Sequence, residues 1–134
     1  MKILVCGGRD YKFKNVVFFV LDEINRVGNE QITSIVHGNC PTGADRFVSQ
    51  YAKENILVEY PISADWNKDG KSAGPIRNSL MLQTHEDIKI VVAFPGNRGT
   101  NDMIKKSIDK QKRVIKVADL NGNIKDIRMQ ILGP

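Results

Sequence analysis

Two glycine-rich segments of the chain carry an arginine each and suit the binding of phosphate. The first is Gly7-Gly8-Arg9. The second, over 94–102, contains the residues that we expect to surround an anion: Pro95, Gly96, Asn97, Arg98, Gly99 and Thr100. Glycine leaves backbone N–H groups accessible, and a helix that begins near Thr100 would direct its unpaired N–H groups into the same concavity. The sequence therefore predicts a phosphate site, at which substitution of Gly96 by Asp should abolish binding and leave the fold largely intact.

A second loop, over 37–46, offers contacts for the rest of such a ligand. We expect His37, Gly38 and Gly43 to lie at the site, with His37 as a hydrogen-bonded residue at a strand end and not as a catalytic base. Asp45 has two interpretations. Its carboxylate either complements the dipole of a helix that starts near Thr42, or accepts a hydrogen bond from a ribose hydroxyl or a base amino group.

The loop over 63–78 contains the only tryptophan of the chain. Trp66 offers a stacking face for a base, and Asp65 lies beside it. Arg77 and Asn78, near a helix start, offer charge-assisted and amide hydrogen bonds. We assign these four residues to the ligand site; the alternative is that Trp66 closes one end of the core and Arg77 is solvated.

The elements that must position these loops alternate between strands and helices. Continuous apolar runs predict buried strands over 2–6, 32–36, 56–60, 88–93 and 113–117. Apolar residues at helical spacing predict four helices, marked by Val16 to Ile24, Ala44 to Ala52, Ile76-Leu80-Thr84 after Pro75, and Met103 to Ile108. This order predicts a doubly wound α/β fold with a mainly parallel five-stranded sheet and helices on both faces. Ligands then bind beyond the carboxyl ends of the strands, where the strand order reverses.

The pattern changes after Val117. Asn121-Gly122 is a strong turn signal, and Ile127, Met129 and Ile131 then alternate with polar residues. We expect an added C-terminal edge strand. The prediction is one domain over 1–134, with its core over 1–117 and a C-terminal extension over 118–134.

Composition and charge narrow the classes of function. Neither cysteine belongs to a metal-binding spacing, so we expect no metal and no cofactor. No apolar run is long enough to span a bilayer, and we expect a cytoplasmic protein with no membrane partner. The net charge of +5 favours anionic partners. We interpret the basic cluster on and just after the last helix as a solvated surface; it comprises Lys105, Lys106, Lys110, Lys112 and Arg113.

Four ordered blocks together resemble the SLOG superfamily, named for the Smf (DprA) and LOG proteins, and more closely its YspA-like and YpsA-related small members. The blocks are Cys6 to Tyr11, His37-Gly38 with Gly43 to Arg46, Ala64 to Trp66 with Ala73 to Asn78, and Ala93 to Gly96 with Arg98 to Thr100. The resemblance covers Met1 to about Val117. It implies a Rossmann-like fold that binds nucleotides or their derivatives, frequently as a homo-oligomer.

The resemblance also bears on catalysis. LOG relatives cleave the N-glycosidic bond of nucleoside monophosphates with a glutamate of a Pro-Gly-Gly-x-Gly-Thr-x-x-Glu signature, where this chain has Asn97 at the second glycine and Met103 at the glutamate. Only Asp102 and Asp45 remain as carboxylate candidates. We therefore expect a protein that senses or sequesters a nucleotide-derived small molecule, of the kind that phages and mobile elements direct against defence signalling. The alternatives are a LOG-like phosphoribohydrolase and DprA-like binding of single-stranded nucleic acid, the latter opposed by the lack of aromatic residues in the basic cluster.

Overall fold

The computed structural model describes all residues, 1–134, and contains six strands and five helices. The strands are β1 (Lys2–Cys6), β2 (Ser34–His37), β3 (Val58–Pro61), β4 (Ile88–Ala93), β5 (Arg113–Leu120) and β6 (Asn123–Leu132). The helices are α1 (Lys14–Val27), α2 (Gly43–Glu54), the single turn α3 (Trp66–Asp69), α4 (Ala73–Thr84) and α5 (Arg98–Asp109), with a 3₁₀ turn over Gly70–Ser72 between α3 and α4. None of the helices is long and apolar enough to cross a membrane.

All six strands belong to one sheet with the order β3-β2-β1-β4-β5-β6. The first five strands in this order are parallel, and β6 pairs antiparallel with β5. The strand order reverses between β1 and β4, where Leu4 pairs with Val36 on one side and with Val91 on the other. The predicted doubly wound fold is confirmed, and the loops after β1 and β4 are neighbours.

Two apolar clusters fill the space between the sheet and its helices. On one face, α1 and α2 pack against side chains such as Ile3, Val5 and Ile35. On the other, α4 and α5 pack against side chains such as Leu4 and Val91. Because neighbouring residues of β1 point to opposite faces, the part of the strand that is buried on both sides must be apolar, as Ile3, Leu4 and Val5 are.

The structure corrects two predicted elements. β3 is an exposed edge strand and begins at Val58, because Ile56 adopts a positive φ of 56° and is 93% exposed. On α4, the predicted stripe of Ile76, Leu80 and Thr84 faces solvent. The residues of α4 that are buried instead are Ala73, Gly74, Asn78, Met81 and Leu82. Asn78, which the predicted stripe did not include, is buried and its side-chain amide has hydrogen-bond partners in the protein.

The C-terminal edge strand is confirmed and forms a hairpin with β5. Asn121 and Gly122 both have positive φ, 55° and 77°, as a two-residue hairpin turn requires. The turn lies against α1, where the side-chain amide of Asn15 donates to the Gly122 carbonyl at 3.0 Å. β5 continues to Leu120, so the expected division at 117 falls within a strand.

Candidate functional site

A polar cavity of about 690 Å³ lies at the carboxyl ends of the strands, at the point where the strand order reverses. Only three of its 18 lining residues are hydrophobic. The lining comprises Cys6, Gly7, Gly8, Arg9, Asp10, Gly38, Cys40, Thr42, Asp45, Arg77, Asn78, Met81, Gly96, Asn97, Arg98, Gly99, Thr100 and Asn101. The loops after β1, β2 and β4 therefore meet with the start of α4 around one hollow.

Backbone hydrogen bonds fix the β1 loop against its neighbours. The Gly8 N–H donates to the Pro95 carbonyl at 2.9 Å, and the Gly8 carbonyl accepts from the Ala44 N–H at 3.1 Å. The Thr42 hydroxyl donates to the Arg9 carbonyl at 2.8 Å. One loop thus holds the starts of α2 and α5 at a fixed separation.

The N-terminus of α5 has unpaired N–H groups at the cavity. The first helical hydrogen bond runs from the Asn101 N–H to the Asn97 carbonyl, and the N–H groups of Arg98, Gly99 and Thr100 have no partner. No side chain caps the helix, and its first turn contains no acidic residue. Such an end attracts an anion, because the exposed N–H groups carry the positive end of the helix dipole.

Two arginines at the cavity have no carboxylate partner. The guanidinium groups of Arg9 and Arg98 take part in no ion pair and no hydrogen bond. Arg9 instead lies 5.7 Å from the ring centroid of Trp66. Since both cations are free to pair with a ligand, their positions agree with the predicted anion site.

Asp45 and Arg77 lie at the other end of the cavity. The Asp45 carboxylate is 9% exposed and accepts from the Cys40 N–H at 3.1 Å. Burial raises its pKa, against the opposing effects of the Cys40 hydrogen bond, His37 and Arg77. The Arg77 guanidinium donates to the Gly38 carbonyl at 2.7 Å, so one of its hydrogen-bond donors is already used within the protein.

Asn78 joins α4 to the start of α5. Its side chain is 3% exposed, and its amide donates to the Gly99 carbonyl and to the Asp102 carboxylate, both at 3.1 Å. Its carbonyl accepts from Nε of Arg77 at 3.1 Å. Because every polar atom of Asn78 has a partner, the residue positions the wall of the cavity.

The structure places several predicted site residues outside the cavity lining. His37 is buried between β2 and β3, bonded through Nε2 to Glu59 at 3.0 Å and through Nδ1 to the Asn39 N–H at 3.1 Å. Asp65 caps α3 by accepting from the Lys68 N–H. The others outside the lining are Trp66, which is half exposed, Pro95, whose carbonyl accepts from the Gly8 N–H, and Gly43, where a Cβ would lie 2.2 Å from the Gly8 carbonyl oxygen.

Six lining residues were not predicted: Cys6, Asp10, Cys40, Thr42, Met81 and Asn101. Cys40, Thr42 and Asn101 lie inside the loops over 37–46 and 94–102, and Cys6 and Asp10 flank Gly7-Gly8-Arg9, so the positions of these five residues in the sequence were a usable signal. Met81 gave no such signal. It lies outside these loops, one turn beyond Asn78 on α4. Burial raises the pKa of the Cys6 thiol to about 12, with a further contribution from Asp45, and the thiol is therefore protonated and a poor nucleophile.

The carboxylate candidates for catalysis are poorly placed. Asp102 is outside the cavity lining and forms an ion pair with Lys106 at 3.0 Å in addition to its bond from Asn78. Met103, at the position of the LOG glutamate, is fully buried in the core between α5 and the sheet. Asp45 is the only carboxylate buried at the cavity, and Asp10 is exposed.

The predicted tolerance of Gly96 to substitution is wrong. A Cβ at this position would lie 2.1 Å from the Thr100 hydroxyl and 2.8 Å from the backbone nitrogen of Gly8. The packing of the β4 loop against the β1 loop leaves no room for a side chain. Gly99, in contrast, has no atom within 4 Å of a Cβ built on it.

A doubly wound α/β sheet with a polar, arginine-bearing cavity at its switch point defines a Rossmann-like protein. The sequence model of the YspA, cpYpsA-related SLOG family matches residues 1–68, and the chain belongs to this family. Gene 61 protein of Mycobacterium phage D29 is 32% identical over 103 residues, covering 72% of this chain and 78% of the phage protein. No solved structure matches the chain. The family prediction made from the four sequence blocks is confirmed, and α4, α5 and the β4 loop lie beyond the matched residues.

Proposed function

We propose that this protein binds an anionic nucleotide or nucleotide-derived small molecule in the switch-point cavity and releases it unchanged. The observation that carries the proposal is the uncapped start of α5, where the N–H groups of Arg98, Gly99 and Thr100 lie unpaired at the cavity. Arg9 and Arg98 supply positive charge beside these N–H groups. Membership of the SLOG family supports a nucleotide-related ligand.

The positions of the carboxylates favour binding of the ligand without its cleavage. The glutamate that LOG relatives use to cleave the N-glycosidic bond is replaced here by Met103, which is fully buried in the core. Asp45 is the only buried carboxylate at the cavity, and Asp102 is held outside the lining by Lys106 and Asn78. The role that we propose for this binding is to sense or sequester a nucleotide messenger.

Binding of single-stranded nucleic acid has less support. Three side chains of the basic cluster are engaged: Lys106 with Asp102, Lys112 with the Glu86 and Ile88 carbonyls, and Arg113 with the Pro134 carbonyl. No aromatic residue lies in the cluster to stack on bases. The cavity, and not this helix face, is the better ligand site.

Calorimetric titration with nucleoside mono- and diphosphates tests the proposal, together with mass spectrometry of small molecules released from the purified protein. Arg98→Gln should weaken binding at least tenfold, because a charge-assisted hydrogen bond contributes about 1.5–3 kcal/mol. Lys105→Gln is the matched control, since it removes an equal charge from the same helix outside the cavity lining. Equal losses in both variants, or release of free base at an enzyme-like rate, would contradict the proposal.

A further inference from the structure

We infer that the C-terminal hairpin of β5 and β6 supports the ligand site, with Asp119 as a positioning residue that acts through Tyr11 on the turn that carries Arg9. This inference rests on the proposed function and extends it to residues that do not contact the ligand. Neither Asp119 nor Tyr11 lines the cavity, and the hairpin lies beyond residues 1–68, which the family model matches.

Arg9 and Asp10 are the two central residues of a turn that follows β1. The turn is closed by the Tyr11 N–H, which donates to the Gly8 carbonyl at 3.2 Å, and both central residues line the cavity. Backbone hydrogen bonds to the β4 loop and to the start of α2 fix the Gly8 end of the turn. The position of Arg9 therefore depends on what fixes the other end, at Tyr11.

The side chain of Tyr11 is held on three sides. Its hydroxyl donates to the Asp119 carboxylate. Its ring packs edge-on against Phe13 and at a tilt against Phe94, with centroid distances of 5.7 and 5.9 Å. Burial and the bond to Asp119 raise the pKa of Tyr11, so the hydroxyl keeps its proton and remains a donor. Of these three contacts, only the one to Asp119 comes from the hairpin.

The hairpin departs from regular pairing at the residue that it supplies. The register between β5 and β6 shifts between Ala118 and Leu120, and such an irregularity redirects a side chain. The second oxygen of Asp119 accepts from the Gly122 N–H at 3.2 Å, and the Gly122 carbonyl accepts from Asn15 of α1. The carboxylate that holds Tyr11 is thus itself fixed to the hairpin turn, and the turn is fixed to α1.

Calorimetric titration of the full chain with AMP and ADP tests the inference. Tyr11→Phe and Asp119→Ala should each weaken binding by about threefold to thirtyfold, the range for residues that act on a site through their neighbours. The loss in Asp119→Ala would be opposite in sign to the direct effect of its charge, because removing a carboxylate favours an anionic ligand. Asp119→Asn should restore the affinity to within about twofold of the parent, since an amide can bond both the Tyr11 hydroxyl and the Gly122 N–H.

Tyr51→Phe is the matched control. The Tyr51 hydroxyl donates to Asp22 at 2.8 Å, and its ring packs edge-on against Phe18, so the variant removes the same kind of hydrogen bond beside the same kind of ring contact. Tyr51 and Asp22 lie outside the cavity lining and join α1 to α2. The control should lose stability in urea unfolding as Tyr11→Phe does, and should bind AMP as the parent does.

Two double variants separate positioning from a general loss of stability. Once Asp119→Ala has removed the acceptor, adding Tyr11→Phe should weaken AMP binding by less than about twofold, because both changes remove one hydrogen bond. In Arg9→Gln the effect of Tyr11→Phe should also shrink to less than about twofold, because the group that the turn positions is gone. Losses from Tyr11→Phe that are equal with and without Arg9 would overturn the positioning role.

Hydrogen exchange of the Tyr11 N–H, followed by NMR, tests the support of the turn without a ligand. Asp119→Ala should speed this exchange at least about tenfold, the lower limit for loss of a hydrogen bond to a charged group, whereas Tyr51→Phe should leave it unchanged. An unchanged rate in Asp119→Ala, or AMP affinity in Tyr11→Phe equal to that of the parent, overturns the inference and leaves the proposed function standing. If the parent binds neither AMP nor ADP, the proposed function is refuted for these ligands, and the exchange rate still decides whether Asp119 holds the turn.

Discussion

Substitution of Gly99 by Asp tests the anion site without disturbing the fold. A Cβ at Gly99 meets no atom within 4 Å, and the residue lies in the first turn of α5, at the cavity. The new carboxylate would lie among the N–H groups that we assign to phosphate. It would compete for these groups and repel an anionic ligand.

The expected magnitude follows from the separation of the charges. Two unit charges about 4 Å apart interact by about 1 kcal/mol in water and about 4 kcal/mol near a protein surface. The affinity for a nucleoside monophosphate should therefore fall by about fivefold to about 1000-fold. Stability should move in the opposite direction. A carboxylate in the first turn complements the helix dipole by about 0.3–1 kcal/mol, and replacing a helical glycine adds about 0.5–1 kcal/mol.

Calorimetric titration and urea unfolding measure the two effects separately. Gly99→Asn is the matched control, because it has nearly the same size and shape as Asp but no charge. It should keep most of the affinity and gain only the part of the stability that comes from removing glycine. Unchanged affinity in Gly99→Asp, or an equal loss in Gly99→Asn, would refute the assignment of phosphate to α5.

Three further substitutions test other parts of the structure. Gly43→Ala should lower the free energy of unfolding by about 1–3 kcal/mol in urea titrations, since Gly43 has a φ of +70° and a Cβ there would lie 2.2 Å from the Gly8 carbonyl oxygen. Met103→Glu should lose about 3 kcal/mol or more and show no hydrolysis of nucleoside monophosphates by chromatography, because the carboxylate would replace a fully buried core side chain. Burial raises the pKa of Asp45, so the folded state binds this proton more tightly than the unfolded state, and stability from this group falls as the pH rises above about 4. Asp45→Asn should therefore gain in unfolding free energy relative to the parent between about pH 4 and about pH 7; a constant difference across that range would contradict the assignment.

The sheet order could be predicted because the signals for it are local and repeated. Apolar strands such as β1 and β4 are buried on both faces, and each leads into a glycine-rich loop and then a helix. The handedness of the crossovers then brings the two loops together at the switch point without further information. The hairpin of β5 and β6 was predictable for the same reason, since Asn121-Gly122 specifies its turn by backbone conformation alone.

The walls of the site were harder to predict because they depend on contacts between distant residues. Asn78 is buried only because Arg77, Gly99 and Asp102 together satisfy its side chain, and this inverts the apparent apolar stripe of α4. Trp66 has the right residue type for stacking, yet the guanidinium of Arg9, which is 57 positions earlier in the chain, lies over its ring. A pattern within one helix or loop cannot specify such partners.

Two helix N-termini meet at the cavity, and a difference between them indicates where an anion would bind. The first turn of α2 contains Asp45, and its Ala44 N–H donates to the Gly8 carbonyl, so the positive end of this helix is already compensated by the protein. The first turn of α5 has neither an acidic side chain nor a cap. Of two similar positions for an anion, only the one at α5 is left open. We therefore propose that a phosphate lies at α5 and that hydroxyl groups of the ligand face the buried Asp45 carboxylate.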